Sequence, residues 1–413
     1  MIAAAINFIL FCCLLFSHYR RSKRIDVPII LLSLYAFIAL MGVVFWQDFY
    51  MKQDIEIWPF IYLFVVCYIY FIPVIKADGI YKGFSDIRIS NGLKFMVGTY
   101  IVCAIIKITG TYSSIYDALV NGNWLLMKEE IYNGGTVGPQ TGIIGFCANL
   151  YATVFMHAIL VYAMYSFTRP DISTVKSIFL LIFAILPTIM NCILYVYRGG
   201  LMILSLLIIT LFFLYRKKML HKKKMVLLYI LSLVVFCFII MTISISLSRF
   251  GDDDAGSSIV DYLGQSMLVF NAGIATRITS YANGQYFFLN FIRMPKEKIW
   301  VDSHFGISTT NGSALNTFIG CSYVDFGPIL TIIIGIIVSV FLYKRFNKRR
   351  IDFADLYLFV FYLDFLYLGV FHCSEGYALK VIMSLLLYLS LKILGKNNSK
   401  DYEKNIKNRS MYS

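Results

Sequence analysis

Four arginines stand where this chain could handle a phosphate: Arg198 in Tyr197-Arg198-Gly199-Gly200, Arg249 in Ser248-Arg249-Phe250-Gly251, Arg277 beside an apolar stripe, and Arg293 in an aromatic-rich stretch. A guanidinium is always charged and presents a planar fork of donors that matches phosphate oxygens. Fixed cations of this kind stabilise negative charge that develops on a phosphate group. Gly199 and Gly200 leave room for a ligand to approach the backbone beside Arg198. The alternative role for Arg198 is a snorkelling anchor, and Arg249 and Arg293 could equally hold lipid headgroups. An attacking hydroxyl needs a general base active near neutral pH, and the candidates are His304, His372, Glu375 and Asp325. Asp325 has a structural alternative, capping a helix whose first turn holds Gly327 and Pro328. Asp252-Asp253-Asp254 offers oxygen ligands to a hard cation, but consecutive residues point apart. The run reads instead as a solvated loop or the cap of a helix starting near Ser258, and neither a metal nor a cofactor is expected.

The elements that position these residues belong to a membrane. The chain is 59% hydrophobic and 15% charged, its mean hydropathy is +0.73, and apolar runs recur from end to end. Eleven candidate spans follow: 2–17, 28–46, 58–75, 95–110, 141–167, 177–197, 199–215, 225–247, 326–343, 353–371 and 378–394. Their continuous apolar character argues for helices, because barrel strands would alternate. The expected fold is an all-α polytopic membrane protein of about eleven transmembrane helices, with residues 1–413 forming a single integral membrane domain. The run from Leu201 to Tyr215 is shorter than the roughly 20 residues that cross a bilayer, so the Arg198 turn is expected to be drawn into the membrane edge. A charge at that depth is a functional lead.

Orientation comes from Lys and Arg. With the N-terminus outside, the inner loops are 18–27, 76–94, 168–176, 216–224, 344–350 and the tail 395–413, which together hold most of the basic residues. The net charge of +14 therefore reports topology and not nucleic-acid binding. Basic residues follow the first apolar run, the reverse of a signal peptide, so that run is expected to stay as a first helix. The nine cysteines fall mostly within spans and form no Cys-x-x-Cys pair. They read as small apolar packing residues, with a Cys321–Cys373 bridge as a minor alternative. The inner loops are too short for a nucleotide-binding domain, and no Gly-rich phosphate loop occurs. The larger polar mass lies outside, in loops 111–140 and 248–325. The first is expected to carry an interfacial segment from Ile115 to Met127. In the second, Ser258 to Tyr281 has helical spacing and would set Arg277 beside an apolar face near lipid phosphate. Three polar residues fall inside spans: Lys107, expected to snorkel outward, His157, expected to bond a neighbouring helix, and Asp364, expected to pair with a polar partner or to mark an ion path.

The stretch Asn316-Thr317-Phe318-Ile319-Gly320-Cys321-Ser322-Tyr323-Val324-Asp325-Phe326-Gly327 resembles the signature of the O-antigen and capsule repeat-unit polymerases of the Wzy type. There an Asn and Thr precede an aromatic-rich segment, and Asp-Phe-Gly follows eight residues after the Thr, the spacing from Thr317 to Asp325 here. The Arg198-Gly199 turn and the large outer loop before Asp325 are similar too. Leu330 stands where the family often has a second glycine.

The resemblance implies a GT-C-like glycosyltransferase of the bacterial inner membrane, with its N-terminus outside and its C-terminus cytoplasmic. It implies that undecaprenyl-pyrophosphate-linked oligosaccharides are joined on the outer leaflet, the growing glycan passing to the non-reducing end of a new unit. No nucleotide, cofactor or metal is needed, and the implied partners are the lipid bilayer, a chain-length regulator and a flippase. On this reading Arg198, Asp325, His304 and His372 serve catalysis. Arg249, Arg277, Arg293, Asn316, Thr317, Glu375 and Lys380 bind substrate. The alternatives are an O-antigen ligase, a lipid-linked oligosaccharide flippase or polysaccharide transporter, and a membrane sugar acyltransferase. Transporters usually show internal repeats, and none is evident here.

Overall fold

Inside hydrocarbon each backbone N–H and C=O needs a partner on its own segment, and the helix is the local solution. The computed structural model describes residues 1–49, 51–82, 91–121, 142–195, 198–278, 281–285, 287–288, 317–348, 351–371 and 377–410. Every regular element among the described residues is a helix. In chain order these are α1 (Ile2–Ser22), α2 (Val27–Phe45), a 3-10 turn (Lys52–Asp54), α3 (Ile57–Ile75), the short α4 (Asp78–Lys82), α5 (Asn91–Asn121), α6 (Gly142–Ser166) and α7 (Thr174–Leu194). Then come α8 (Arg198–Tyr215), α9 (His221–Val269), a π-helix (Phe270–Ala275), α10 (Phe318–Phe346), α11 (Phe353–Gly369) and α12 (Tyr377–Ser410).

Among the described residues a helix stands at each of the eleven apolar runs, and eight are long and apolar enough to cross a membrane. The other three are α8, α11 and α12. The chain is thus a multi-pass α-helical protein. Caps mark several of the boundaries. Asp26 accepts from the Ile29 N–H at 3.2 Å and precedes Pro28 at the start of α2, and Ser173 accepts from the Lys176 N–H at 3.3 Å to begin α7. Asp352 accepts from the Asp355 N–H at 2.9 Å to begin α11. Each satisfies a donor that the first turn cannot.

The chain divides into two compact units. At 413 residues it exceeds what a single core usually organises. Unit 1 comprises 1–77, 249–347 and 363–381. Its helices approach closely at small residues: a Cβ on Gly264 would stand 2.6 Å from the Met41 carbonyl, and one on Gly335 would stand 2.9 Å from the Tyr70 ring. Membrane helices gain contact in this way because lipid supplies no hydrophobic drive between them. The Tyr35 hydroxyl donates to the Leu366 carbonyl at 2.9 Å, and rings of Phe11, Tyr35 and Phe71 pack in series.

Unit 2 comprises 78–248, 348–362 and 382–413. There α5, α6, α7 and α8 pack together, and Tyr100 donates to the Ala184 carbonyl at 3.5 Å. The buried Lys223 ammonium reaches the carbonyls of Ser166, Arg169 and Ile172 at 3.4, 2.6 and 2.6 Å, tying the α6–α7 turn to the start of α9. Lys348 and Lys392 both meet the buried Asp355 carboxylate, at 3.5 and 2.9 Å.

The structure departs from the sequence reading at several points. Helix α9 runs 49 residues, so 248–269 is helical where an outer loop was expected. Asp252-Asp253-Asp254 lies within that helix, and no separate helix begins near Ser258 for it to cap. Helix α5 likewise continues to Asn121, through Ile115 and into the segment expected to lie on the interface. Lys107 is buried and does not snorkel, because α7 packs against that face of α5 and closes it from solvent. His157 is buried with its ring edge-on to Phe361 at 5.7 Å. Asp364, by contrast, meets the sequence expectation: it pairs with Lys380 at 2.8 Å, the polar partner its burial demands.

Candidate functional site

The aromatic-rich motif is itself a helical turn and not a loop. Thr317 caps it by accepting from the Gly320 N–H at 3.1 Å, and residues 318–326 are helical. Gly327 breaks the helix with φ 74° and ψ 177°, and 328–346 then resumes it. That backbone region is open to glycine and closed to other residues. A side chain there would also strike the Tyr281 ring, since an added Cβ would lie 2.9 Å from it. The final Gly of Asp-Phe-Gly thus has a physical cause in this chain. Pro328 follows in the first turn of the resumed helix, and its carbonyl accepts from the Tyr62 hydroxyl at 2.8 Å.

Asp325 does not cap the helix. Thr317 has that role eight residues earlier, and Asp325 falls before the break, facing inward at 1% exposure. Its Oδ2 accepts from the Phe287 N–H at 2.7 Å, while the Val324 carbonyl accepts from the Ala282 N–H at 2.9 Å. The Phe287 carbonyl in turn accepts from the Ala378 N–H at 3.3 Å, at the start of α12. The turn at 281–285, with Asn283 and Gly284 at positive φ, and residues 287–288 are therefore pinned to their neighbours. Asp325 fastens backbone to backbone.

Tyr323 is the hub of an aromatic group beside this turn, with ring centroids of Tyr62, Phe270 and Tyr281 at 5.6, 6.1 and 6.1 Å. The π-helix presents Asn271, whose side chain donates to the Glu56 carbonyl at 2.7 Å and accepts from the Glu56 N–H at 3.0 Å. A π-turn widens the helix and often marks a functional position. Arg277, just beyond it, pairs with Asp54 at 2.5 Å and stays 56% exposed. It is held by a carboxylate, where the sequence reading set it against lipid phosphate. Guanidinium, carboxylate, amide and phenol groups thus stand in one unit with aromatic faces, a combination that can orient a polar, many-hydroxyl ligand.

Among the sequence candidates, unit 1 holds Arg249, Arg277, Thr317, Asp325 and Lys380. Thr317 is a buried cap, and Lys380 is occupied by Asp364. Arg198 belongs to unit 2 and is the first residue of α8, so Arg198-Gly199-Gly200 is the opening turn of a helix where a connecting turn was expected. Arg249 lies in the continuous α9. Arg293, His304, Asn316, His372, Glu375 and Cys373 lie outside the described residues. Among the described residues no cluster of three or more His, Cys, Asp or Glu side chains is placed to hold a metal.

Sequence reasoning missed Asp54, Glu56, Asn271 and Asp261. The first two are acidic residues in a short connection facing Arg277 and Asn271, a pairing across more than 200 positions that no local pattern signals. Asp261 lies on α9 beyond its apolar 221–240 stretch, with one carboxyl oxygen buried and without a hydrogen-bond donor. Burial pushes its carboxyl up from the ordinary value, the direction that suits a general base. No protein-family model matches this chain, and neither a curated protein nor a solved structure matches it.

Proposed function

We propose that this protein joins lipid-pyrophosphate-linked oligosaccharide repeat units in the bacterial plasma membrane, as a GT-C-like polymerase with eleven crossings, the N-terminus outside and the C-terminus inside. The observation that carries the reading is the Thr317-to-Gly327 motif. Its three diagnostic residues each have a distinct task in one element: Thr317 begins it, Asp325 fastens the neighbouring turn, and Gly327 breaks it. The bond from Lys223 supports the topology, because the two turns it ties are ones that an eleven-span count puts on the same side.

In the proposed reaction a hydroxyl oxygen of the incoming unit forms a bond to the anomeric carbon of the growing glycan. The bond from that carbon to the lipid pyrophosphate breaks, and the hydroxyl proton passes to a base. Arg198 at the opening of α8 holds the departing pyrophosphate. His304 and His372 remain the sequence candidates for the base. Asp325 acts as a positioning residue.

Deleting the gene tests the reading. Surface glycan should then appear as single repeat units on its carrier. Complete loss of glycan would identify a flippase instead, and long polymer left unattached would identify a ligase.

A further inference from the structure

Unit 2 holds a cavity of about 390 Å³ between α5, α6 and residues 383–394 of α12. Phe95 and Met96 of α5, Phe155 of α6, and Met383 and Leu387 of α12 stand in its walls. Only two of the lining side chains carry oxygen or nitrogen, and both are spent within the wall. The Tyr151 hydroxyl donates to the Met96 carbonyl at 3.3 Å, and the Ser390 hydroxyl donates to the Leu386 carbonyl at 2.9 Å. Buried water needs two to four polar partners, and apolar cavities stay dry and take apolar guests. The chemistry of the lining therefore selects hydrocarbon.

Hydrocarbon is at hand, because α5 over 91–116 and α6 over 143–166 are two of the helices long and apolar enough to cross a membrane. Phe95 and Leu386 belong to the wall yet stay exposed, so the cavity opens sideways. At one end α5 and α12 close on each other, where a Cβ on Gly92 would stand 2.7 Å from the Leu394 side chain. A dry cavity of about 150 Å³ accepts benzene, and by that ratio this one accommodates roughly 16 carbons. That is one acyl chain, and a polyprenyl chain of many isoprene units would overfill it. Lys94, exposed beside Phe95, makes no ion pair among the described residues. Lys392, which lies next to Leu391 of the wall, is already held by Asp352 and Asp355. The free charge at this end of the cavity is thus positive, which complements an anionic headgroup.

We infer that this cavity seats one acyl chain of an anionic phospholipid of the surrounding bilayer, with Lys94 at the lipid phosphate. The chain fills space that α5, α6 and α12 leave open, so bound lipid stabilises their arrangement. The inference rests on the membrane-spanning helices and the cavity, and is independent of the polymerase reading.

The test uses the full protein, delipidated in mild detergent and titrated in parallel with dioleoylphosphatidylglycerol, dioleoylphosphatidylcholine, geranylgeranyl phosphate and glycerol 3-phosphate. Melting temperature and the lipid retained in native mass spectra are read together. Phosphatidylglycerol should raise the melting temperature of the wild type and remain bound as one copy, and glycerol 3-phosphate should do neither. Val154→Trp fills the cavity from the α6 wall. It should weaken retention at least about tenfold while melting, free of lipid, no lower than wild type. Val154→Leu should act in the same direction by a smaller factor, which keeps the test decisive if the larger side chain prevents folding. Lys94→Gln should still take the chain but lose about fivefold in its preference for phosphatidylglycerol over phosphatidylcholine, the worth of one lysine at a charged surface. Unchanged retention in the Val154 variants, or stabilisation by glycerol 3-phosphate equal to that by the lipid, would overturn the inference. So would a wild type without preference between the two phospholipids, and tighter retention of geranylgeranyl phosphate would give the cavity to a prenyl lipid instead.

Discussion

Asp325 separates two accounts of the motif, and the separation can be worked out from its contacts. At 1% exposure, with Oδ2 taken by the Phe287 N–H at 2.7 Å, the carboxylate is turned to backbone and away from solvent. A hydrogen bond to a charged acceptor contributes about 1.5–3 kcal/mol and one between neutral groups about 0.5–1.5 kcal/mol. Asp325→Asn keeps the shape and an acceptor oxygen, so it should lower stability by roughly 1 kcal/mol. Asp325→Ala leaves the Phe287 N–H without a partner and should cost roughly 2–3 kcal/mol, loosening the turn that carries Tyr281 and Gln285. Both variants would be purified in detergent, their unfolding followed by heat, and their glycan chain lengths compared on gels after complementation of a deletion strain. A positioning role predicts near-normal chains for Asp325→Asn and shortened chains for Asp325→Ala. A general base would instead lose about 10²–10⁴-fold in rate with either substitution. If Asp325→Asn folds like the wild type yet makes no long chains, the positioning argument is wrong.

The remaining predictions concern other groups. Gly327→Ala should destabilise the protein by about 1–3 kcal/mol, since the residue sits at φ 74° with Tyr281 in the way, and a melting curve unchanged from wild type would contradict this. Asp261 has its carboxyl pushed above 3.8 by burial, so the folded state holds the proton more tightly than the unfolded one. Stability should therefore fall as pH rises from about that value through the raised one. Asp261→Asn should remove that fall, which paired melts across acid to neutral pH would register. Breaking the Asp364–Lys380 pair by Asp364→Leu should cost toward the low end of about 3–5 kcal/mol, because Lys380 is partly exposed. Adding Lys380→Met should recover part of the loss, and additivity of the two changes would refute the coupling.

The helices were legible because long apolar runs are helical in hydrocarbon: among the described residues a helix stands at each of the eleven apolar runs, and eight are long and apolar enough to cross a membrane. Capping at Asp26 and Ser173 follows from local chemistry of the same kind. The extension of α9 to Val269 was hidden by Gly251 and three consecutive aspartates, which locally favour a loop, whereas Gly264 packs that end of the helix tightly on α2. At Asp325 the residue before Gly-Pro looks like a cap. The helical turn starting at Thr317 becomes evident only once Phe287 supplies a donor from 38 positions away. Arg277 showed a cation, but its partner Asp54 lies 223 positions off and leaves no periodic trace. Burial of Lys107 depends on which face of α5 meets α7, a choice that an all-round apolar helix does not announce.

The most direct test of the central claim gives purified protein, in liposomes, lipid-linked repeat units extracted from the deletion strain, with no nucleotide or nucleotide sugar added. The account predicts a ladder of lengthening glycan on the lipid carrier, and its absence with Arg198→Ala at equal protein and equal melting temperature. A folded wild-type protein that leaves the units unjoined, or an Arg198→Ala variant that builds the same ladder, would contradict it.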